Sequence, residues 1–75
     1  MLVHLKLMGT LKTKTPPGGT LELPDNATIA SVLQALDIRA ESVQVFTVNG
    51  QLERNRDRVL GPNDELSVLP PVGGG

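Results

Sequence analysis

Helical periodicity occurs once in this chain, and it is short. Ile29, Val32, Leu33 and Leu36 fall at i, i+3, i+4 and i+7, an apolar stripe along about two to three turns, and Thr28 is placed to cap the first turn with its hydroxyl. A helix this brief is not stable in water by itself, so its stripe must be covered. The rest of the chain offers strands to cover it, and the helix is expected to lie on one face of a sheet.

The strands are read from period-two alternation. Val3, Leu5 and Leu7 point one way and His4, Lys6 and Met8 the other, which gives a first half-buried strand. Gly9 to Gly19 is rich in turn formers, closes on Thr15-Pro16-Pro17-Gly18-Gly19, and has Leu11 as its anchor to the core. Thr20 to Leu23 alternates again and ends at Pro24-Asp25-Asn26, so the first two strands form a hairpin with a long loop. After the helix, Asp37 to Ser42 reads as a polar connection. Val43 to Val48 is the strongest strand, Asn49-Gly50 is the dipeptide of a type I′ hairpin turn, and Gln51 to Glu53 returns as a short strand. Val59 and Leu60 are expected to plug the core under an irregular stretch, Gly61 to Asp64 to turn, and Glu65 to Leu69 to form the last strand, with Leu66 and Val68 on one face and Ser67 and Leu69 on the other.

Strand, strand, helix, strand, short strand, strand is the order of an α+β β-grasp fold, a mixed sheet of about five strands with one helix packed on one face. In that fold the first and last strands usually lie side by side in the middle, parallel. The expected core is Val3, Leu5, Leu7, Leu21, Leu23, Ile29, Val32, Leu33, Leu36, Phe46, Val48, Leu60, Leu66 and Val68. The domain is expected to span residues 1–69, followed by a tail over 70–75.

Composition narrows the chemistry. Without cysteine there is no disulfide staple, no thiolate nucleophile and no thiolate metal site, which suits a reducing compartment. Phe46 is the only aromatic residue and the formal net charge is −1, so neither the stacking platforms nor the basic footprint of a nucleic-acid binder is present. No run approaches a membrane span and the first residues alternate in polarity, so a cytoplasmic protein is expected. The single histidine, His4, has no Cys, Asp or Glu at ligand spacing and reads as a surface or edge residue. Arg54, Arg56 and Arg58 either meet an acidic partner from one side of a loop or form a solvated, partly self-neutralised stretch; the second reading is preferred. Gly18-Gly19 lacks the Lys-Ser/Thr and the strand-to-helix setting of a phosphate loop and reads as a turn.

What remains is the end of the sequence, Pro70-Pro71-Val72-Gly73-Gly74-Gly75. Two prolines cannot continue a β-ladder, so the sheet should release the chain at Leu69 or Pro70. Gly73, Gly74 and Gly75 carry no side chains and pass through a slot too narrow for other residues. Extended, the six residues reach about 20 Å, enough to bring the Gly75 carboxylate into another protein's active site. The same composition also fits an idle Gly-rich terminus.

Leu60-Gly61-Pro62-Asn63-Asp64-Glu65 followed by Leu66 to Gly75 resembles the ending of the MoaD/ThiS ubiquitin-like sulfur carriers: a Leu, a short acidic turn, an apolar strand and a terminal Gly-Gly. Phe46 to Gly50 resembles their strand-to-turn segment, and Thr28 with its stripe resembles their helix. Pro70-Pro71-Val72 is closer to the MoaD branch, the small subunit of molybdopterin synthase, than to the thiamine branch. Gly73 stands where that branch often has a small non-glycine residue.

The resemblance implies that this chain is a cosubstrate and not an enzyme, and that it binds no cofactor. A ubiquitin-activating-enzyme-like adenylyltransferase would use ATP and Mg²⁺ to adenylate Gly75, a persulfide donor would convert the adenylate to a thiocarboxylate, and the synthase large subunit or another acceptor would take the sulfur. Gly74 and Gly73 would give clearance in the partner's channel. On the sheet face away from the helix, Leu69 and Val45, with Pro71 and Val72, are expected to form the docking patch. The same adenylate opens the route to a ubiquitin-like modifier joined through Gly75 to a lysine, or to sulfur delivery for thiamine or another pathway, and the sequence is compatible with each.

Overall fold

A computed structural model describes residues 1–71 of the chain. Its strands are β1 (Leu2–Leu7), β2 (Thr20–Glu22), β3 (Val45–Val48), β4 (Gln51–Glu53) and β5 (Glu65–Leu69), and its helix is α1 (Ile29–Ala35). Short 3-10 segments cover Gly9–Lys14, Pro17–Gly19 and Ala40–Ser42. The strands form one sheet in the order β2-β1-β5-β3-β4. β1 and β5 are parallel, with Leu5 opposite Leu66 and Leu7 opposite Val68. The other neighbours are antiparallel. This is the expected β-grasp arrangement, with the first and last strands in the middle.

Burial follows the alternation. Val3, Leu5 and Leu7 of β1, Leu66 and Val68 of β5, and Phe46 and Val48 of β3 are buried on one face, where they meet Ile29, Val32 and Leu33 of α1. Leu11 and Leu23 are buried as expected, whereas Leu21 and Leu36 pack against the core only half-buried. The Asn49-Gly50 turn has positive φ at both residues, 54° and 84°, as a type I′ turn requires.

The ends of α1 explain what its sequence alone left open. At the N-terminus Thr28 Oγ1 accepts from Ser31 N at 3.2 Å and Ser31 Oγ accepts from Thr28 N at 3.2 Å, a reciprocal capping box. The next two donors go to the irregular stretch before β5: Ile29 N donates to the Arg58 carbonyl and Ala30 N to the Arg56 carbonyl, at 3.2 and 3.0 Å. At the C-terminus Asp37 takes a left-handed φ of 57°, Asp37 N donates to Gln34 O, and Ile38 N donates to Leu33 O. That is a Schellman motif with Asp in the position glycine usually holds. It turns Ile38 inward, so Asp37 to Ser42 is not the wholly polar connection expected: Ile38 is 6% exposed and belongs to the core.

Val59 is a second correction. It is 51% exposed while Leu60 is 2% exposed. Val59 forms an isolated antiparallel bridge with Thr28, and in extended backbone successive side chains point to opposite sides, so seating Leu60 in the core turns Val59 out. The third strand also starts later than its apolar run, at Val45 and not Val43.

β5 is held in place by the turn before it. Asp64 accepts from Gly61 N through Oδ2 at 2.7 Å and from Asn49 Nδ2 through Oδ1 at 3.0 Å. Asn49 Oδ1 in turn accepts from Glu65 N at 2.9 Å, which ties the β3–β4 turn to the start of β5. The Gly61 N–H bond, then the Asn49 amide, hold the Asp64 carboxyl below its ordinary value near 3.8, against a smaller opposing effect of burial.

Two outcomes follow from this packing. Leu33→Ala removes a buried stripe residue and should cost about 2–5 kcal/mol in urea unfolding, whereas Leu52→Ala, at the exposed end of the sheet, should stay within about 0.5 kcal/mol of the parent. Because the folded state depresses the Asp64 value, its contribution is complete above about pH 4 and is lost as pH falls through the lower folded value. Asp64→Ala should therefore destabilise by about 1–2 kcal/mol at pH 7, and the gap from the parent should close toward pH 2 in denaturation curves taken across that range.

Candidate functional site

The sheet has one free face among the described residues, and β5 gives out beside it. The residues of β1, β5, β3 and β4 that do not point at α1 point outward there: Leu2, His4 and Lys6, Glu65, Ser67 and Leu69, Val45 and Thr47, and Leu52. Register sorts them into rows. Val45 is directly opposite Leu69, and both are half-buried. Extending the β1–β5 register by one residue brings Met8, 38% exposed, level with Leu69. In the next row Lys6 faces Ser67, Ser67 faces Thr47, and Thr47 faces Leu52. Leu52 is 57% exposed, the most exposed large apolar side chain among the described residues.

Met8, Leu69, Val45 and Leu52 are the apolar residues gathered at the end where β5 gives out, while Leu2, 39% exposed, stands at the opposite end of the face. The structure brings Leu69 and Val45 together as a cross-strand pair, and Pro71 is exposed just beyond them. Val72, Gly73, Gly74 and Gly75 lie outside the described residues. Met8 and Leu52 were not singled out from the sequence, although the signal for Leu52 was present. A two-residue Asn-Gly turn fixes Val48 opposite Gln51 and hence Thr47 opposite Leu52, on the face away from the core.

The end of β5 is fastened on both sides. Leu69 O accepts from Gln44 N at 2.8 Å, and Val68 O accepts from Met8 N at 3.1 Å. Pro70, half-buried, offers no N–H to continue the ladder. The chain therefore leaves the sheet at Pro70, between the end of β1 and the start of β3.

The three arginines divide, Arg58 into an ion pair and Arg54 and Arg56 onto one recess. Arg58 Nε is paired with Glu53 Oε1 at 3.1 Å, and the backbone of Arg56 and Arg58 caps α1. Arg54 and Arg56, both exposed, line a recess of about 300 Å³ together with Glu53, Val43, Gln44, Val45 and Leu52, at the rim of the apolar rows. His4 is exposed on β1 across from Glu65. No group of three or more His, Cys, Asp or Glu side chains among the described residues is arranged to hold a metal ion. No helix among them is long and apolar enough to cross a membrane.

The arrangement is an apolar outer face beside the point where the chain leaves β5. Apolar rows offer contact area without a hydrogen-bond requirement, and Arg54 and Arg56, with Glu53 beside them, give the rim its charge.

Similar proteins share this fold. A comparison with curated proteins gave no match. Among solved structures, SAMP1 from Haloferax volcanii superposes with a TM-score of 0.74 at 21% identity, over 100% of both chains, a likeness of fold. The complex of subunits 1 and 2 of the molybdopterin-converting factor from Helicobacter pylori 26695 contains a chain that matches at a TM-score of 0.65 and 26% identity, again over 100% of both chains. The family model described as ThiS family matches residues 5–75. With nearly the whole chain matched and the β-grasp architecture in place, this protein belongs to the ThiS (MoaD/ThiS) family of ubiquitin-like sulfur carriers, which hold sulfur for other proteins and are not themselves catalysts.

Proposed function

We propose that this chain carries sulfur as a thiocarboxylate on Gly75 and delivers it, in the cytoplasm, for the assembly of molybdopterin. The observation that carries the pathway is the likeness, over full length and at 26% identity, to a chain found in a complex of the two molybdopterin-converting factor subunits. Pro70-Pro71-Val72 before the glycines supports the same branch.

In this reading residues 1–69 are the body that partners recognise and residues 70–75 are the arm. A ubiquitin-activating-enzyme-like adenylyltransferase, supplying ATP and Mg²⁺, docks on the outer sheet face at Leu69 and Val45, with Pro71 and Val72 leading into its channel. The Gly75 carboxylate attacks the α-phosphorus of ATP, pyrophosphate leaves, and the resulting acyl adenylate has AMP as a good leaving group. The terminal sulfur of a persulfide displaces AMP, and a thiol of the donor then frees the thiocarboxylate as the donor closes a disulfide. The loaded arm enters the synthase large subunit, where the sulfur acts as a nucleophile on the pterin precursor. Gly73 and Gly74 pass through both channels because they have no side chains, while this chain contributes neither acid, base, metal nor bound cofactor.

Leu69→Glu tests the docking face. It places a carboxylate in the apolar row and should weaken binding to the adenylyltransferase by at least about tenfold, with a melting curve close to that of the parent. Unchanged affinity in a titration removes the face from the proposal.

The arm is tested by adding one Ala after Gly75. The carboxylate moves about 3.5 Å and a methyl group enters a slot shaped for glycine, so adenylation should fall at least about a hundredfold while the body stays folded. Gly74 replaced by a bulky residue should act in the same direction, and Gly73 should tolerate replacement better. The readout is intact mass after incubation with activating enzyme, ATP and persulfide donor. One sulfur-for-oxygen exchange on the parent, absent from the extended variant, is the expected result. Conjugate ladders on the parent would assign the chain to lysine modification instead, and sulfur transfer to a thiamine precursor would move it to that pathway.

A further inference from the structure

Because β1 and β5 are parallel, both run out at the same edge of the sheet, and the two chains must part there. β1 turns away through Gly9 into the 3-10 segment Gly9–Lys14, while β5 gives way to Pro70. Gly9 has a left-handed φ of 57°. A β-carbon on it would lie 2.8 Å from Pro70 Cγ and 3.6 Å from Pro70 Cδ, and the first of these is closer than two carbons tolerate. The proline ring therefore occupies the space that a side chain at residue 9 would fill.

The neighbouring backbone leaves the ring little room to move aside. Met8 N is bonded to Val68 O on one side and Gln44 N to Leu69 O on the other, so the residues flanking the contact are fixed at both strands. We propose that Gly9 is a positioning residue for the reacting end. Its missing side chain seats Pro70, which fixes where the arm begins and hence where the Gly75 carboxylate arrives in the activating enzyme. The inference rests on the function proposed above. It predicts a defect in turnover more than in docking, because the outer face remains intact.

The left-handed φ and the contact with Pro70 both favour glycine, and one substitution separates them. Asparagine tolerates that φ but carries a β-carbon. Four chains are compared, the parent, Gly9→Asn, Pro70→Ala and Gly9→Asn/Pro70→Ala, by ATP–pyrophosphate exchange with the cognate adenylyltransferase and by thermal melting. Gly9→Asn should melt near the parent, lower kcat by about ten- to a hundredfold, and leave KM within about threefold. Pro70→Ala removes Cγ and Cδ, so the double variant should return to the kcat of Pro70→Ala alone. In the parent, nuclear Overhauser contacts should join the Gly9 Hα protons to the Pro70 Hγ protons.

A folded Gly9→Asn chain with parental kcat overturns the inference. So does a loss that Pro70→Ala does not repair, a Gly9→Asn chain that fails to fold, or the absence of the Gly9–Pro70 contacts. These results leave the function itself standing if the parent is charged. A parent that is never adenylated overturns the proposed function and this inference together.

Discussion

The parallel pairing of β1 and β5 is the constraint on which the rest of the structure depends. It brings the first strand and the last into the centre of one sheet, and Val3, Leu66 and Val68, three residues with no exposed surface, sit at that centre. Each central strand is buttressed on both sides, so only the short strands β2 and β4 remain as edges. The helix, together with Leu11, Ile38 and Leu60 from the connections, then covers one face, and the other face is left over for contact. A single topological choice therefore produces both a core in a chain without cysteine and a free surface beside the exit of β5.

The irregular stretch between β4 and β5 has a structural purpose that its lack of periodicity concealed. Its carbonyls at Arg56 and Arg58 accept the helix donors that Thr28 and Ser31 leave open, Leu60 enters the core, and Asp64 closes the turn that starts β5. Three elements distant in sequence are thus joined through backbone groups, which any residue type supplies. Such bonds leave no mark on composition, and the arginines that stand there look like a charge pattern when read as side chains.

The sequence was most legible where a physical period repeats. Val3-Leu5-Leu7, Leu66-Val68 and the Ile29-Val32-Leu33 stripe each declare an element and its buried face, and Asn49-Gly50 declares a turn type. It was less legible where one residue decides a direction. Ile38 turns inward because Asp37 takes a left-handed conformation more often given to glycine, and Val59 turns outward because its neighbour Leu60 takes the core position. For the candidate site, parity alone put Leu69, Val45 and Met8 on the outer face, while the placing of Met8 beside Leu69 and of Leu52 beside Thr47 needed the register of neighbouring strands. The contact between Gly9 and Pro70 joins residues sixty-one positions apart and has no local pattern at all.

The parallel ladder has a mechanical consequence. β1 begins at Leu2 and β5 ends at Leu69, at opposite ends of the same pair of strands. Tension applied between the start of the chain and its glycine end is directed along those strands, so their hydrogen bonds are loaded together in shear and do not open one after another as in a zipper. A pull of that kind is thus met by the whole central ladder.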